Sequence, residues 1–244
     1  MQLKVIGSGS AGNAYLLEDD NCALLIELGV KFSSIKKELD FDFSKVAGAL
    51  VSHSHGDHFK SVKHALAAGI EVYTGSKTID DSGIEDHNLN TIDPGKAKMI
   101  GPFKVASFEL KHDVPCLGFI INHPDTGSIC FITDTYYSPW KFKNISNWLV
   151  ECNYSEEILD KRMDLGDTQQ FLRNRILSSH MSLENCLSLF EANDLSMTNN
   201  IVLTHLSDGN SHARQFQKKV EDQTGKTVTI AENGIKIPLG KRPF

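Results

Sequence analysis

The stretch Leu50–Phe59, "LVSHSHGDHF", places three histidines and one aspartate within six positions. It continues the apolar run Ala49-Leu50-Val51, which reads as the end of a strand. The four polar side chains therefore fall in one compact loop. In an extended segment, side chains at i and i+2 share a face, so His53 and His55 are placed to bind the same ion. A turn at Gly56 then directs Asp57 and His58 towards a second ion nearby. Imidazole and carboxylate donors together suit zinc, manganese, iron or nickel. The stretch points to a metal centre built at a strand end.

Upstream lies a glycine run, "VIGSGSAGNAYLLE", residues 5–18. Gly7-Ser8-Gly9-Ser10-Ala11-Gly12 matches G-x-G-x-x-G, the form of a dinucleotide-binding loop. That function needs a helix directly after the glycines, within a unit of about 30 residues. Here Asn13–Glu18 is followed by the turn-like Asp19-Asp20-Asn21 and a second apolar run, Cys22–Leu28. The pattern predicts a hairpin, with the glycines forming a tight connection whose backbone N–H groups can face an anion.

Further strands are expected at "AGALVS", "EVYTG", "FKVASFEL", "GFIINH" and "SICFITD", interrupted by helices at "FSSIKKELD" and "HFKSVKHALAAG". The second half carries helical spacing in "EEILDKRM", "TQQFLRNRILSS", "SLENCLSLFEAND" and "SHARQFQKKVEDQ", with strands "IVLTH", "VTIA" and "IKI" between and after them. Ser182 with Asn185, and Ser211 with Arg214, mark helix starts. Hairpins early and crossovers late suggest two packed mixed β-sheets flanked by helices, an α/β architecture formed as one domain over residues 1–244.

Composition excludes several classes. Hydrophobic residues make up 40% and charged residues 23% of 244, an ordinary globular balance. No apolar run approaches the roughly 20 residues that span a bilayer, and no basic segment leads into an apolar one at the N-terminus. The five cysteines are scattered without a C-x-x-C, so a reduced, cytoplasmic protein is expected. The net charge of −6 and the scattered lysine pairs Lys36-Lys37 and Lys218-Lys219 do not form the concentrated basic face that grips long nucleic acid.

His53-Ser54-His55-Gly56-Asp57-His58 resembles the signature of the metallo-β-lactamase-fold hydrolases. The resemblance implies an αββα sandwich and identifies the remaining ligands. His112 in "LKHDVPCLGF", Asp134 in "CFITDT" and His205 in "IVLTHLS" match the family's later motifs. It implies one divalent ion on His53, His55 and His112, a second on Asp57, His58 and His205, and Asp134 shared. Zinc is the expected metal, with manganese or nickel as alternatives. Two such ions lower the pKa of a shared water and clamp the oxygens of a phosphodiester.

Asp134 stands where many β-lactamases of this fold have cysteine, which argues against lactam hydrolysis. The spacing from Asp134 to His180 is too short for the inserted domain of RNase J-like enzymes, and no tRNA-gripping arm is visible. The glycine run, the histidine loop, "ECNYSEEILDKRM", "RILSSHMSLENC" and "LTHLSDGN" are similar to small YycJ-type proteins and their phage-encoded relatives. Two positions differ from the YycJ pattern: Glu151-Cys152-Asn153-Tyr154-Ser155 replaces Glu-x-Asn-His-Asp, and Tyr136 replaces glycine.

The resemblance implies a nucleotide phosphodiesterase that opens a 3′,5′-cyclic CMP- or UMP-type nucleotide, as phage anti-Pycsar enzymes do to disarm host signalling. A YycJ-like DNA or RNA exonuclease is the alternative. With Asp57 among the catalytic residues, His180 is expected to be the general acid or a phosphate donor, oriented by Glu151. Ser207, Asp208 and Asn210 are expected to line the pocket, and Tyr136, Tyr137 and Trp140 to stack on a base. A small nucleotide is the expected partner, with nucleic acid as the alternative; no membrane is involved. The resemblance also implies a homodimer, located in the host cytoplasm if the chain is phage-encoded.

Overall fold

Runs of β-branched and large apolar residues form the strands of the protein, and stretches with helical apolar spacing form its helices. The computed structural model describes residues 1–167 and 169–241. The first half contains β1 (Gln2–Gly7), β2 (Ala14–Glu18), β3 (Ala23–Ile26), α1 (Phe32–Glu38), β4 (Val46–Leu50), α2 (Gly56–Phe59), α3 (Val62–Ala67), β5 (Val72–Thr74), α4 (Ser76–Ser82) and β6 (Leu89–Thr91). A meander follows: β7 (Ala97–Ile100), β8 (Phe103–Leu110), β9 (Cys116–His123) and β10 (Gly127–Ile132). The remainder is β11 (Ile145–Glu151), α5 (Glu156–Asp164), α6 (Gln170–Ser179), α7 (Leu183–Glu191), β12 (Asn200–Thr204), α8 (Ala213–Thr224), β13 (Thr227–Ile230) and β14 (Lys236–Pro238).

The strands form two seven-stranded sheets, ordered β14-β1-β2-β3-β4-β5-β6 and β13-β12-β11-β10-β9-β8-β7. Each sheet is antiparallel on one side and parallel on the other. β1, β2 and β3 pair antiparallel, and β3 to β6 pair parallel. β7 to β10 form the antiparallel meander, and β10 to β13 pair parallel. The expected order of hairpins early and crossovers late is corrected: the same sequence of hairpins then crossovers occurs twice, once per sheet. Parallel neighbours require a crossover, and α1, the α2–α3 pair and α4 supply them already in the first half.

Period-2 alternation sorts the side chains into layers. Ile129 and Phe131 of β10 join Leu3, Tyr15, Leu24, Phe103 and Phe119 in the core between the sheets. Cys130 and Ile132 point the other way, onto the layer of Leu189, Phe190, Phe216 and Val220 from α7 and α8. On the outer face of the first sheet, Leu16, Leu25 and Ala49 pack under Ile35, Val62 and Leu66 of α1 and α3. The result is the helix–sheet–sheet–helix sandwich.

Several local expectations meet a competing interaction. "HFKSVKHALAAG" splits into α2 and α3 because the Ser61 N–H turns to Leu28 O and its hydroxyl to Val30 O. Ser182 caps α7 by accepting the Asn185 N–H. At α8 the cap is His212, whose ring accepts from Gln215 N, while Ser211 donates to Ser207 O. Thr168, where one expected helix began, lies outside the described residues. β11 escapes the pattern because Ser146 and Asn147 interrupt its apolar run. Asn147 is nonetheless fully buried, donating to Thr126 O and Gly240 O. β6, β7 and α4 are short and carry little apolar signal.

The glycine run is a β1–β2 hairpin connection, not a nucleotide loop, and it braces the histidine loop. Asn13 N–H donates to Asp57 O (2.8 Å) and Gly29 N–H to Asn13 O (2.9 Å). A Cβ at Gly29 would lie 1.6 Å from Asp57 O, a backbone atom that cannot swing aside. Gly29→Ala is therefore expected to lower stability by about 1–3 kcal/mol in chemical denaturation and to cost bound metal. A wild-type midpoint would contradict this bracing.

Candidate metal centre and active site

In open α/β sheets, ligand sites form beyond the carboxyl ends of the parallel strands. Here Glu27 follows β3, His53 follows β4, Asp134 follows β10, Glu151 ends β11 and His205 follows β12, all at one edge of the sandwich. The β8–β9 loop brings His112 to the same edge. Glu27, Asp134 and His205 each take a positive φ, at 67°, 46° and 53°. Such backbone is costly for residues with a Cβ and persists where the surroundings over-determine it.

The side chains converge on Asp134. His53, His55, His112 and Asp134 offer ligand atoms within 4.8 Å of one another, and so do Asp57, His58, Asp134 and His205. Asp134 Oδ2 lies 3.3 Å from His53 Nε2 and 2.9 Å from His58 Nε2, and Oδ1 lies 2.5 Å from His205 Nδ1. Asp57 Oδ2 is 3.2 Å from His58 Nε2. The structure thus brings together all seven residues that the resemblance implies as ligands.

Two histidines are hydrogen-bonded through their outer nitrogens, and a third faces a carboxylate there. His53 Nδ1 meets Ser52 Oγ at 2.8 Å, His58 Nδ1 faces Glu27 Oε2 at 3.4 Å, and His112 Nδ1 donates to Ser179 O at 3.0 Å. A ring that donates through Nδ1 keeps its Nε2 lone pair for a metal. Glu27, Asn13 and Asp113 belong to the site but were not among the sequence-based candidates. Asn13 Nδ2 lies 3.1 Å from His58 Nε2, and Asp113 Oδ1 3.0 Å from His112 Nε2. Glu27 did leave a signal, as the lone charge inside the apolar run Cys22–Val30.

The donor set fits a divalent cation. Glu27, Asp134 and Glu151 are buried, and among the described residues none of them pairs with a lysine or arginine. Buried charge without a partner is strongly unfavourable. The buried His53 Nε2 has no hydrogen-bond partner. Burial, then His53 beside it, pulls His112 down to about 4. Against the opposing effect of burial, the hydrogen bond from His58 draws Asp57 down to about 2.

A third group adjoins these two. Glu151 Oε1 is 2.7 Å from His180 Nδ1 and 3.3 Å from His205 Nδ1, and Oε2 accepts the N–H groups of Thr135 and Met181. Burial works against a charged His180, but Glu151 beside it prevails and raises it to about 10.

Above these groups lies a cavity of about 340 Å³ whose walls include Ser10, Asn153, Arg175, Ser207 and Asn210, with His180 at its side. Asp208 is exposed and outside this wall. Tyr136 lines a neighbouring cleft of about 600 Å³ that shares His112 and Asp113 with the first cavity. Tyr137 is exposed, and Trp140 donates to Glu109 O and packs edge-on against Phe108. The aromatic residues after Asp134 therefore stand beside the metal cavity and not in it.

Residues 33–206 match the beta-lactamase superfamily domain. The chain belongs to this superfamily. It is a metal-dependent hydrolase, and its similarity runs to the YycJ-like and anti-Pycsar group. It is 27% identical over 260 residues to exodeoxyribonuclease YycJ of Bacillus anthracis, covering 98% of this chain and 97% of that one. A 64-residue segment is 34% identical to anti-Pycsar protein Apyc1 of Paenibacillus harenae, covering 24% of this chain and 27% of that one. The fold matches the metallo-beta-lactamase fold protein YhfI from Bacillus subtilis with a TM-score of 0.73 at 17% identity, over 96% and 98% of the two chains. No helix among the described residues is long and apolar enough to cross a membrane.

Glu27 touches no solvent and places its Oε2 3.4 Å behind His58 Nδ1. Glu27→Gln is expected to weaken metal affinity about 10- to 100-fold in chelator competition while the fold persists by circular dichroism. Unchanged affinity would remove Glu27 from the metal centre.

Proposed function

We propose that the protein is a binuclear metal-dependent phosphodiesterase that hydrolyses a 3′,5′-cyclic nucleotide of the cyclic CMP or UMP type to the linear mononucleotide. The observation that carries this is the convergence of six His and Asp side chains on Asp134 at the base of a 340 Å³ cavity with, among the described residues, a single arginine in its wall. That volume is at the small end of ligand pockets and suits a mononucleotide. One arginine in an acidic chain offers little to a long polyanion. Disarming of a cyclic-nucleotide signal in a phage-infected host follows from the same reading and from the segment similar to Apyc1.

In this reading His53, His55 and His112 hold one ion, Asp57, His58 and His205 a second, and Asp134 both, with zinc the proposed metal and manganese or nickel the alternatives. Bound there, the cations supply Lewis acidity to the phosphoryl oxygens and acidify a water. Arg175, Ser207 and Asn210 bind and orient the phosphate and sugar. His180 Nδ1 is committed to Glu151, which leaves the Nε2 proton for the departing oxygen. Water's oxygen joins phosphorus, one P–O ester bond breaks, and His180 protonates the alkoxide it releases. Glu151 is the positioning residue that keeps His180 charged and oriented.

The exonuclease reading is favoured by one observation: the similarity to YycJ of Bacillus anthracis extends along nearly the whole of both chains. Under it, the 600 Å³ cleft with Lys77 and Lys111 would take the next nucleotides.

Purified protein is to be incubated with a panel of 3′,5′-cyclic nucleotides and, separately, with linear duplex and single-stranded DNA and RNA. Linear mononucleotide from the cyclic panel alone is expected; degradation of nucleic acid alone would overturn the cyclic-nucleotide reading. His180→Ala is expected to lower turnover about 10²- to 10⁴-fold with metal content intact, and an unchanged rate would remove its acid role. Chelation is expected to abolish turnover and lower the thermal midpoint, because Asp134 and Glu151 lose their compensating charge. Re-addition of Zn²⁺ should restore both.

A further inference from the structure

A second group with metal-ligand chemistry lies at the end of the sandwich away from Asp134. His123 closes β9, whose other end at Cys116 adjoins the hydrolytic site. At about 3.3 Å per residue the strand separates the two ends by about 23 Å. Facing His123 from the other sheet are Asp19 and Cys22, in the β2–β3 turn. The ligand atoms of Asp19, Cys22 and His123 lie within 4.8 Å of one another.

The spacing is that of a coordination sphere. Cys22 Sγ is 3.5 Å from Asp19 Oδ1 and 4.0 Å from His123 Nε2. A tetrahedral zinc with sulfur at about 2.3 Å and nitrogen or oxygen at about 2.0 Å needs ligand–ligand edges of about 3.5 Å. The Cys22–Asp19 edge matches this length, the Cys22–His123 edge is somewhat longer, and all three ligand atoms stay within 4.8 Å. Asp19 Oδ1 accepts the N–H groups of Asn21 and Cys22 (2.8 and 2.9 Å), which fixes the carboxylate and leaves Oδ2 outside those bonds. His123 is only 8% exposed, its ring lies against Phe103, and its Nε2 is aimed at Cys22. Its Nδ1 accepts a long 3.3 Å bond from Asp125 N. Ligation through Nε2 moves the ring proton to Nδ1 and exchanges that bond for a metal–nitrogen bond.

We propose that Asp19, Cys22 and His123 form a separate site for one divalent cation of the zinc class, with water in the fourth position, clipping the first sheet to the second. Thiolate and imidazole select zinc-like ions over magnesium or calcium. The ion joins residues 101 positions apart, and clips that close long loops remove the most entropy from the unfolded chain. Cys22 must give up its thiol proton to bind, so binding strengthens as pH rises.

Cobalt(II) is the probe, because a thiolate ligand gives it a charge-transfer absorption that imidazole and carboxylate do not. The full chain at saturating Co²⁺ is expected to show this band and to bind one equivalent more metal than Cys22→Ser. Cys22→Ser and His123→Gln should each lose the band. Asp57→Ala, altered in the hydrolytic centre, should keep it, as should Cys116→Ser, which removes the thiol beside His53. Absence of the band from the unmodified chain, its survival in Cys22→Ser, or equal metal content in the two proteins overturns the site. The readouts are absorption and stoichiometry, so they stand or fall independently of the substrate proposed above.

Discussion

Asp134 is the group on which the hydrolytic end of the molecule depends. It is a buried carboxylate with positive φ, and among the described residues it meets neither lysine nor arginine. Removing such a charge from water is costly, and attraction to well-placed partners must repay it. Here the partners are imidazoles: His53, His58 and His205 all reach it within 3.3 Å. Burial alone would raise the Asp134 carboxyl, but His205 and His58 hold it well below the usual range. Five carboxylates (Glu27, Asp57, Asp113, Asp134 and Glu151) and a ring of histidines at one point form a cage for cations, because added positive charge balances the carboxylates.

The sandwich makes that point possible. Each sheet delivers the carboxyl ends of its parallel strands to the same edge, and the two sheets bring those ends together over the core of Tyr15, Phe119 and Phe131. The histidine loop is then locked by backbone contacts that leave no space for a Cβ at Gly29. A loop so braced holds its ligands in place before any ion arrives, which reduces the ordering cost of binding. At the opposite edge the β2–β3 turn and the end of β9 meet by the same two-sheet geometry, and there a soft thiol joins the carboxylate and imidazole.

Much of this was legible before the structure. The run of β-branched and large apolar residues in "SICFITD" marks β10 and its continuation into Asp134, and the hairpin reading of "GSGSAGNAYLLE" follows from the absence of room for a helix. Less legible were elements with weak local signals: β11 hides behind Ser146 and Asn147, whose polar groups are satisfied by Lys241 and Thr126, residues distant in sequence. The α8 cap moved by one residue because His212 took the role that Ser211 was expected to fill. Tyr136 was expected to stack on a substrate base and instead lines the adjoining cleft, which shares His112 and Asp113 with the metal cavity.

The sequence alone determined what is local. The spacing in Leu50–Phe59 sets four ligand types within one loop, and period-2 and period-3.6 apolar patterns define most strands and helices, because these depend on neighbours a few residues apart. Only the tertiary structure decided what is distant. Glu27 behind His58, Asn13 against Asp57, Glu151 between His180 and His205, and Cys22 across from His123 each join residues from 29 to 101 positions apart. No periodicity encodes such a meeting. It arises when two sheets bury their shared face and bring their strand ends to common edges.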